Sequence, residues 1–144
     1  MSVELTYGLE RFAIALQGVD NVYDLEWAPG VKYREVRLED ERQQSAYAFG
    51  RVPGLPAGEF AAFHRELFER CDAWARTLIE SGLVLPALDY CLKCSHLFNL
   101  LDASGSIGVT ERTAYILRVR QLAVAIAKAW VEPRPAPGGR THGS

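Results

Sequence analysis

Between Glu59 and Ser81, Phe60, Leu67 and Trp74 recur every seven residues, with His64, Cys71 and Leu78 beside them. Arg65, Glu69, Asp72 and Arg76 fall on the opposite side. Seven residues make close to two helical turns, so the pattern predicts a long amphipathic helix that must bury one face against other helices. Gly82 supplies its stop. Pro86 suits the first position of a second helix, which runs to about Asp102 and is broken by Ser104-Gly105-Ser106. Thr110 is placed to cap a third helix, to about Val131, with Glu111 in its first turn where a carboxylate favours the helix dipole. Tyr115, Val119, Leu122, Ile126 and Trp130 form its main stripe. Leu117 and Val124 lie on another side, as for a helix with several neighbours.

Upstream, Tyr33–Phe49 is dense in Glu, Arg and Gln and reads as a further helix, with Val36, Leu38 and Tyr47 as its anchors. Gly50–Gly58, with two prolines and three glycines, is a loop. Residues 3–7, Val-Glu-Leu-Thr-Tyr, alternate apolar and polar and predict a strand with Glu4 and Thr6 on one face. Gly8 joins it to a helix over Leu9–Leu16, closed by Gly18. Leu25–Trp27 is one more short strand, ended by Pro29-Gly30. The fold class is therefore mainly α: a strand–helix piece followed by about four helices in a bundle-like cluster. Pro133 to Ser144 has the composition of a disordered tail.

Charge and composition narrow the function classes. The 144 residues are 49% hydrophobic and 24% charged, which excludes a mostly disordered chain and a coiled coil. Sixteen Lys and Arg against eighteen Asp and Glu give a net charge of -2, so no global basic field draws in nucleic acid. No apolar run reaches membrane-span length. Three cysteines are too few for a disulfide framework, which points to a reducing cytoplasm.

Most chemical motifs dissolve on inspection. Cys91-Leu-Lys-Cys94 has half the spacing of a zinc site but no second half, and a three-residue step on a helix reads better as small core filler. His64 and His96 sit among apolar neighbours and read as packed, hydrogen-bonded histidines; His142 is in the tail. Arg118 and Arg120 point about 200° apart on a helix, so with Arg112 they read as bundle ion pairs or solvated flanks, a contact to RNA phosphate or a partner chain being the weaker reading. No Walker loop, GxGxxG, HExxH or GxSxG occurs.

The segment Glu4-Leu-Thr-Tyr-Gly-Leu-Glu-Arg11 is different. A glycine at a strand end lets a planar ligand approach the backbone. An arginine in the first turn of the next helix can grip a phosphate or lie over an adenine ring. Glu4 and Thr6 on one strand face can hold an ammonium or a hydroxyl. A solvent-exposed Glu10–Arg11 pair would give the same pattern without any function.

Glu4 through Leu25 resembles motif 3 and its continuation in the α subunit of bacterial heterotetrameric glycyl-tRNA synthetase, a class II enzyme. Gln44-Ser-Ala-Tyr-Ala-Phe49, His96-Leu-Phe-Asn-Leu-Leu-Asp-Ala103 and Val109 through Arg120 resemble the helical C-terminal region of the same subunit, in the same order. The likeness covers about residues 3 to 132. It implies a glycine–tRNA ligase that activates glycine with ATP and Mg2+ to glycyl-adenylate, then transfers glycine to tRNA(Gly) in the cytoplasm. It implies as partners a β subunit, which carries most of the tRNA recognition, and a second α subunit. By the same resemblance Arg11 contacts the nucleotide, Glu10 orients it and Gly8 allows close approach, while Glu4 and Thr6 face glycine or the adenylate. Residues 1–30 correspond to the end of the catalytic domain, 31–132 to the helical domain and 133–144 to the tail. Motifs 1 and 2 precede motif 3 in that family, yet only seven residues precede Gly8 here, as expected for a split gene or a misassigned start. A chain without them is expected to be inactive alone. The alternative expectation is a non-catalytic helical module that docks the β subunit or tRNA.

Overall fold

A computed structural model describes residues 8–132. The strand expected over 3–7, with Glu4 and Thr6, and the tail from Pro133 with His142 lie outside the described residues. Helix α1 spans Leu9–Gln17 and ends where Gly18 takes φ 63°, a left-handed conformation that lets its N–H reach the Ile14 carbonyl. A 3-10 turn, Val22–Asp24, leads to strand β1, Glu26–Ala28, which pairs antiparallel with β2, Val31–Lys32. Helices α2 (Tyr33–Ala48), α3 (Glu59–Glu80), α4 (Val84–Ala103) and α5 (Val109–Val131) follow. The fold is mainly α, and no described helix is long and apolar enough to cross a membrane.

The chain divides into two compact units between Tyr47 and Ala48. In the second unit α3, α4 and α5 pack on one another around Phe68, Cys71, Ala75, Cys94, Leu101, Leu122 and Ile126. The cluster within the second unit comprises these three helices. Helix α2 falls almost entirely in the first unit, and its polar sequence buries only Tyr33. Its expected anchors Val36, Leu38 and Tyr47 are exposed.

Several element edges depart from the sequence reading. The expected lone strand is half of a hairpin, because Gly30 at φ 77° reverses the chain after Pro29. Pro86 is the third residue of α4, still within the first turn, where its missing N–H costs nothing. Gly108, not Thr110, is the residue before α5, and the Glu111 carboxylate reaches back to accept from the Gly108 N–H at 3.2 Å.

The core stripes hold for Phe60, His64, Cys71 and Leu78 of α3 and for Tyr115, Leu122 and Ile126 of α5, all buried, but not at their tryptophans. Trp74 and Trp130 are 50% and 63% exposed, while Phe68 and Ala75 are fully buried. Leu117 and Val124 of α5 face solvent instead of a further helix. The charged side of α3 is an interface with α5: Arg118 donates to Glu69 at 2.6 and 2.7 Å and to the buried Asp72 at 2.7 Å. Arg65 reaches the Ser106 carbonyl at 2.8 Å and Glu111 at 3.1 Å.

The two units differ in how firmly their helices are held. Helix α1 buries no residue, and Leu9 and Leu16 are 78% and 86% exposed. Little apolar burial opposes local opening there. Amide hydrogens of α1 are expected to exchange well before those of α3 and α5 by hydrogen–deuterium mass spectrometry. Equal protection of the three helices would show that α1 is covered in solution.

Candidate functional site at the start of the first helix

Gly8 precedes α1 in an extended conformation, φ -62° and ψ 112°, and its carbonyl accepts from the Arg11 and Phe12 N–H groups at 3.1 and 3.4 Å. That φ suits any residue, so the value of glycine here is its missing side chain. A Cβ would stand 3.7 Å from Cγ and Cδ of Arg11, whose stem therefore lies beside Gly8. Gly8 has no side chain to cap the helix, and Arg11 stands in the first turn, at the positive end of the dipole. Arg11 is exposed and has no ion-pair or hydrogen-bond partner among the described residues. A helix start with an exposed arginine in its first turn suits an anionic ligand such as a phosphate.

Glu10 turns elsewhere: its Oε1 accepts from the Tyr33 hydroxyl at 3.5 Å. The structure thus joins Arg11 to Gly8 and Glu10 to Tyr33, with no Glu10–Arg11 pair among the described residues. Glu10 lines a cleft of about 250 Å³ with Leu9, Ala13, Leu25, Glu26, Trp27 and Tyr33. The Trp27 and Tyr33 rings lie 5.6 Å apart and tilted. The wall is held by one backbone pair and one side chain. Tyr33 N–H donates to the Leu25 carbonyl at 2.8 Å, and the Gln17 side-chain amide donates through Nε2 to the Glu26 carbonyl and accepts through Oε1 from its N–H, at 3.0 and 2.8 Å. Arg34 pairs with Asp24, and Tyr23 donates to Glu41, which raises the Tyr23 pKa chiefly through that hydrogen bond.

Sequence reasoning passed over Gln17, Trp27 and Tyr33. The available signal was the aromatic density of Tyr23, Trp27 and Tyr33 around a Pro-Gly turn.

The other candidates resolve into structure. Cys91 and Cys94 are buried in the α3–α4–α5 core as filler, and burial raises both thiols, Cys94 to about 12. Among the described residues no group of three His, Cys, Asp or Glu side chains is placed to hold a metal ion. His64 is buried, its Nδ1 2.6 Å from the Phe60 carbonyl, as expected. His96 is exposed on α4 rather than packed, because α4 turns Cys94, Leu97 and Leu101 inward instead. Arg112 pairs with Asp102 at 2.7 Å, and Arg118 bridges two helices, as bundle ion pairs do.

The family described as glycyl-tRNA synthetase alpha subunit matches residues 1–135, a span that takes in Gly8, Glu10, Arg11 and every described helix. The chain belongs to this family. Membership makes it part of an aminoacyl-tRNA synthetase, a ligase of protein biosynthesis. A synthetase of this kind uses ATP.

Proposed function

We propose that the start of α1 forms one wall of the ATP site of glycine–tRNA ligase. Arg11 contacts the nucleotide, Gly8 leaves room for it, and Glu10 lines the neighbouring cleft; Glu4 and Thr6 face glycine or the glycyl-adenylate. In the reaction the glycine carboxylate attacks the α-phosphorus and pyrophosphate leaves. The tRNA(Gly) terminal hydroxyl then attacks the activated carbonyl and releases AMP. Magnesium enters with the ATP phosphates. The β subunit and a second α subunit complete the cytoplasmic enzyme, with residues 1–30 closing the catalytic domain and 31–132 forming the helical one. The observation that carries this reading is Arg11: exposed, unpaired among the described residues, and in the first turn of a helix that Gly8 leaves without a side-chain cap. Membership in a synthetase family supports this reading.

These 144 residues contain no arginine upstream of Arg11 to hold the α-phosphate. Catalysis needs its charge-stabilising groups preorganised together. The purified chain is therefore expected to show no glycine-dependent ATP–pyrophosphate exchange, and measurable exchange would overturn that expectation. In an assembled enzyme containing this sequence, Arg11→Ala is expected to lower exchange tenfold or more, while Arg42→Ala on the exposed side of α2 leaves it unchanged. Equal rates for the two variants would remove Arg11 from the site.

A second reading, a helical module that docks the β subunit or tRNA without chemistry of its own, draws on a groove of about 660 Å³. It lies between Leu83–Pro86 and Lys128–Glu132, with Leu83, Leu85 and Trp130 exposed along it. This reading predicts co-purification of the chain with the β subunit and fails if β binds only chains that include motif 1.

A further inference from the structure

Helix α5 turns Tyr115, Leu122 and Ile126 into the core, yet its opposite face is not simply polar. Leu117, Val124 and Val131 recur every seven residues there and are 54%, 53% and 77% exposed. Two turns of a helix nearly match seven residues, so the three side chains line one stripe about 20 Å long. Leu117 and Val124 border a shallow hollow of about 370 Å³ together with Arg120, Gln121, Ala125 and Lys128.

The charges around that stripe are one-sided. Arg120 and Lys128 have no ion-pair partner among the described residues, whereas Arg65, Arg112 and Arg118 are all paired. No carboxylate lines the hollow among the described residues. The two acids of the α5 segment lie at its ends: Glu111 is taken by Arg65, and Glu132 follows the last turn.

We propose that this face of α5 docks an acidic amphipathic helix of another protein chain. Aliphatic side chains at the same seven-residue spacing would pack on Leu117, Val124 and Val131, and flanking carboxylates would meet Arg120 and Lys128. A second copy of α5 fits worse. Paired antiparallel about Val124 it sets Arg120 against Lys128, and paired in parallel it sets each cation against its twin. RNA also fits worse, since two cations around an aliphatic stripe provide neither a phosphate track nor stacking rings. The inference concerns α5 alone and does not rest on the ATP-site reading.

The test uses the full 144-residue chain and two fluorescent synthetic helices. Both carry leucine at seven-residue spacing; one is flanked by glutamate and the other by lysine. In anisotropy titrations the glutamate helix is expected to bind at least tenfold more tightly than the lysine helix. The double variant Arg120→Glu/Lys128→Glu should invert that preference, and Leu117→Ser/Val124→Ser should abolish binding of both. All four residues are exposed, and unchanged circular dichroism checks that the variants fold. Equal affinity for the two helices, no binding of either, or binding untouched by both double variants overturns the proposal. So does a dimer in sedimentation, or tRNA retention, that is lost in Leu117→Ser/Val124→Ser while the glutamate helix fails to bind.

Discussion

Phe68→Ala is expected to destabilise the helical unit by about 3–5 kcal/mol, the cost of emptying a large aromatic site in a packed core. Phe68 is fully buried on α3, its ring meets Tyr115 of α5 edge-on at 4.6 Å between centroids, and the Arg118 guanidinium lies 4.7 Å above it. Truncation removes the apolar burial, the aromatic contact and the cation–π contact in one step. A domain of ordinary size holds only about 5–15 kcal/mol in total, so this one substitution should take a large share of it. Urea titration followed by circular dichroism reads the loss as a lower midpoint at unchanged slope. Phe63→Ala, on the exposed side of the same helix, is the comparison and should cost less than about 1 kcal/mol. If the two substitutions cost the same, the core does not run through Phe68.

That comparison also marks where the sequence was a good guide and where it was not. Helix positions and stops were legible because they depend on local chemistry. Gly18, Gly82 and Gly105 take left-handed φ just beyond the helices they end, as the glycine positions suggested. The buried faces were legible in part: Phe60, His64, Cys71 and Leu78, and Tyr115, Leu122 and Ile126, are buried as their spacing suggested. The recurrence of Phe60, Leu67 and Trp74 drew the stripe toward the bulkiest side chains, yet the buried row passes through Phe68 and the small Ala75 and leaves Trp74 half exposed. Size in a sequence does not say which side of a helix its neighbours will occupy. Strand β2 was missed because two residues are too few to show alternation. At the candidate site, Gly8, Glu10 and Arg11 were legible as one contiguous motif. Tyr33 and Trp27 were not, since the hairpin and the Gln17–Glu26 and Glu10–Tyr33 hydrogen bonds bring them beside α1.

The ion pairs between α3 and α5 were the least legible feature, because Arg118 lies 49 and 46 residues from Glu69 and Asp72. They lead to the second large expected effect. Asp72 is 6% exposed and receives Arg118 at 2.7 Å; its other partner, Arg76, stands farther off at 3.2 and 3.4 Å. The hydrogen bond with Glu69 is the main cause that raises the Arg118 pKa, with Asp72 adding to it, so the charge on Arg118 is secure. Arg118→Ala would leave a buried carboxylate held only by the weaker Arg76 contacts. Removing one partner of a buried pair costs about 3–5 kcal/mol, and the help from Arg76 together with partial exposure of Arg118 lowers the expectation here to about 2–3 kcal/mol. Glu69 is more than half exposed, so Glu69→Gln should cost under about 1 kcal/mol. The cost therefore belongs to the stranded Asp72 rather than to the number of lost contacts. Arg118→Met combined with Asp72→Leu, which removes both buried charges, should recover most of the loss. Urea midpoints for the three variants separate the alternatives. If Arg118→Ala costs no more than Glu69→Gln, the bridge acts as a surface pair and Asp72 is hydrated in solution. If the double variant is as unstable as Arg118→Ala, packing of the arginine stem over Phe68, not its charge, is what joins α5 to α3.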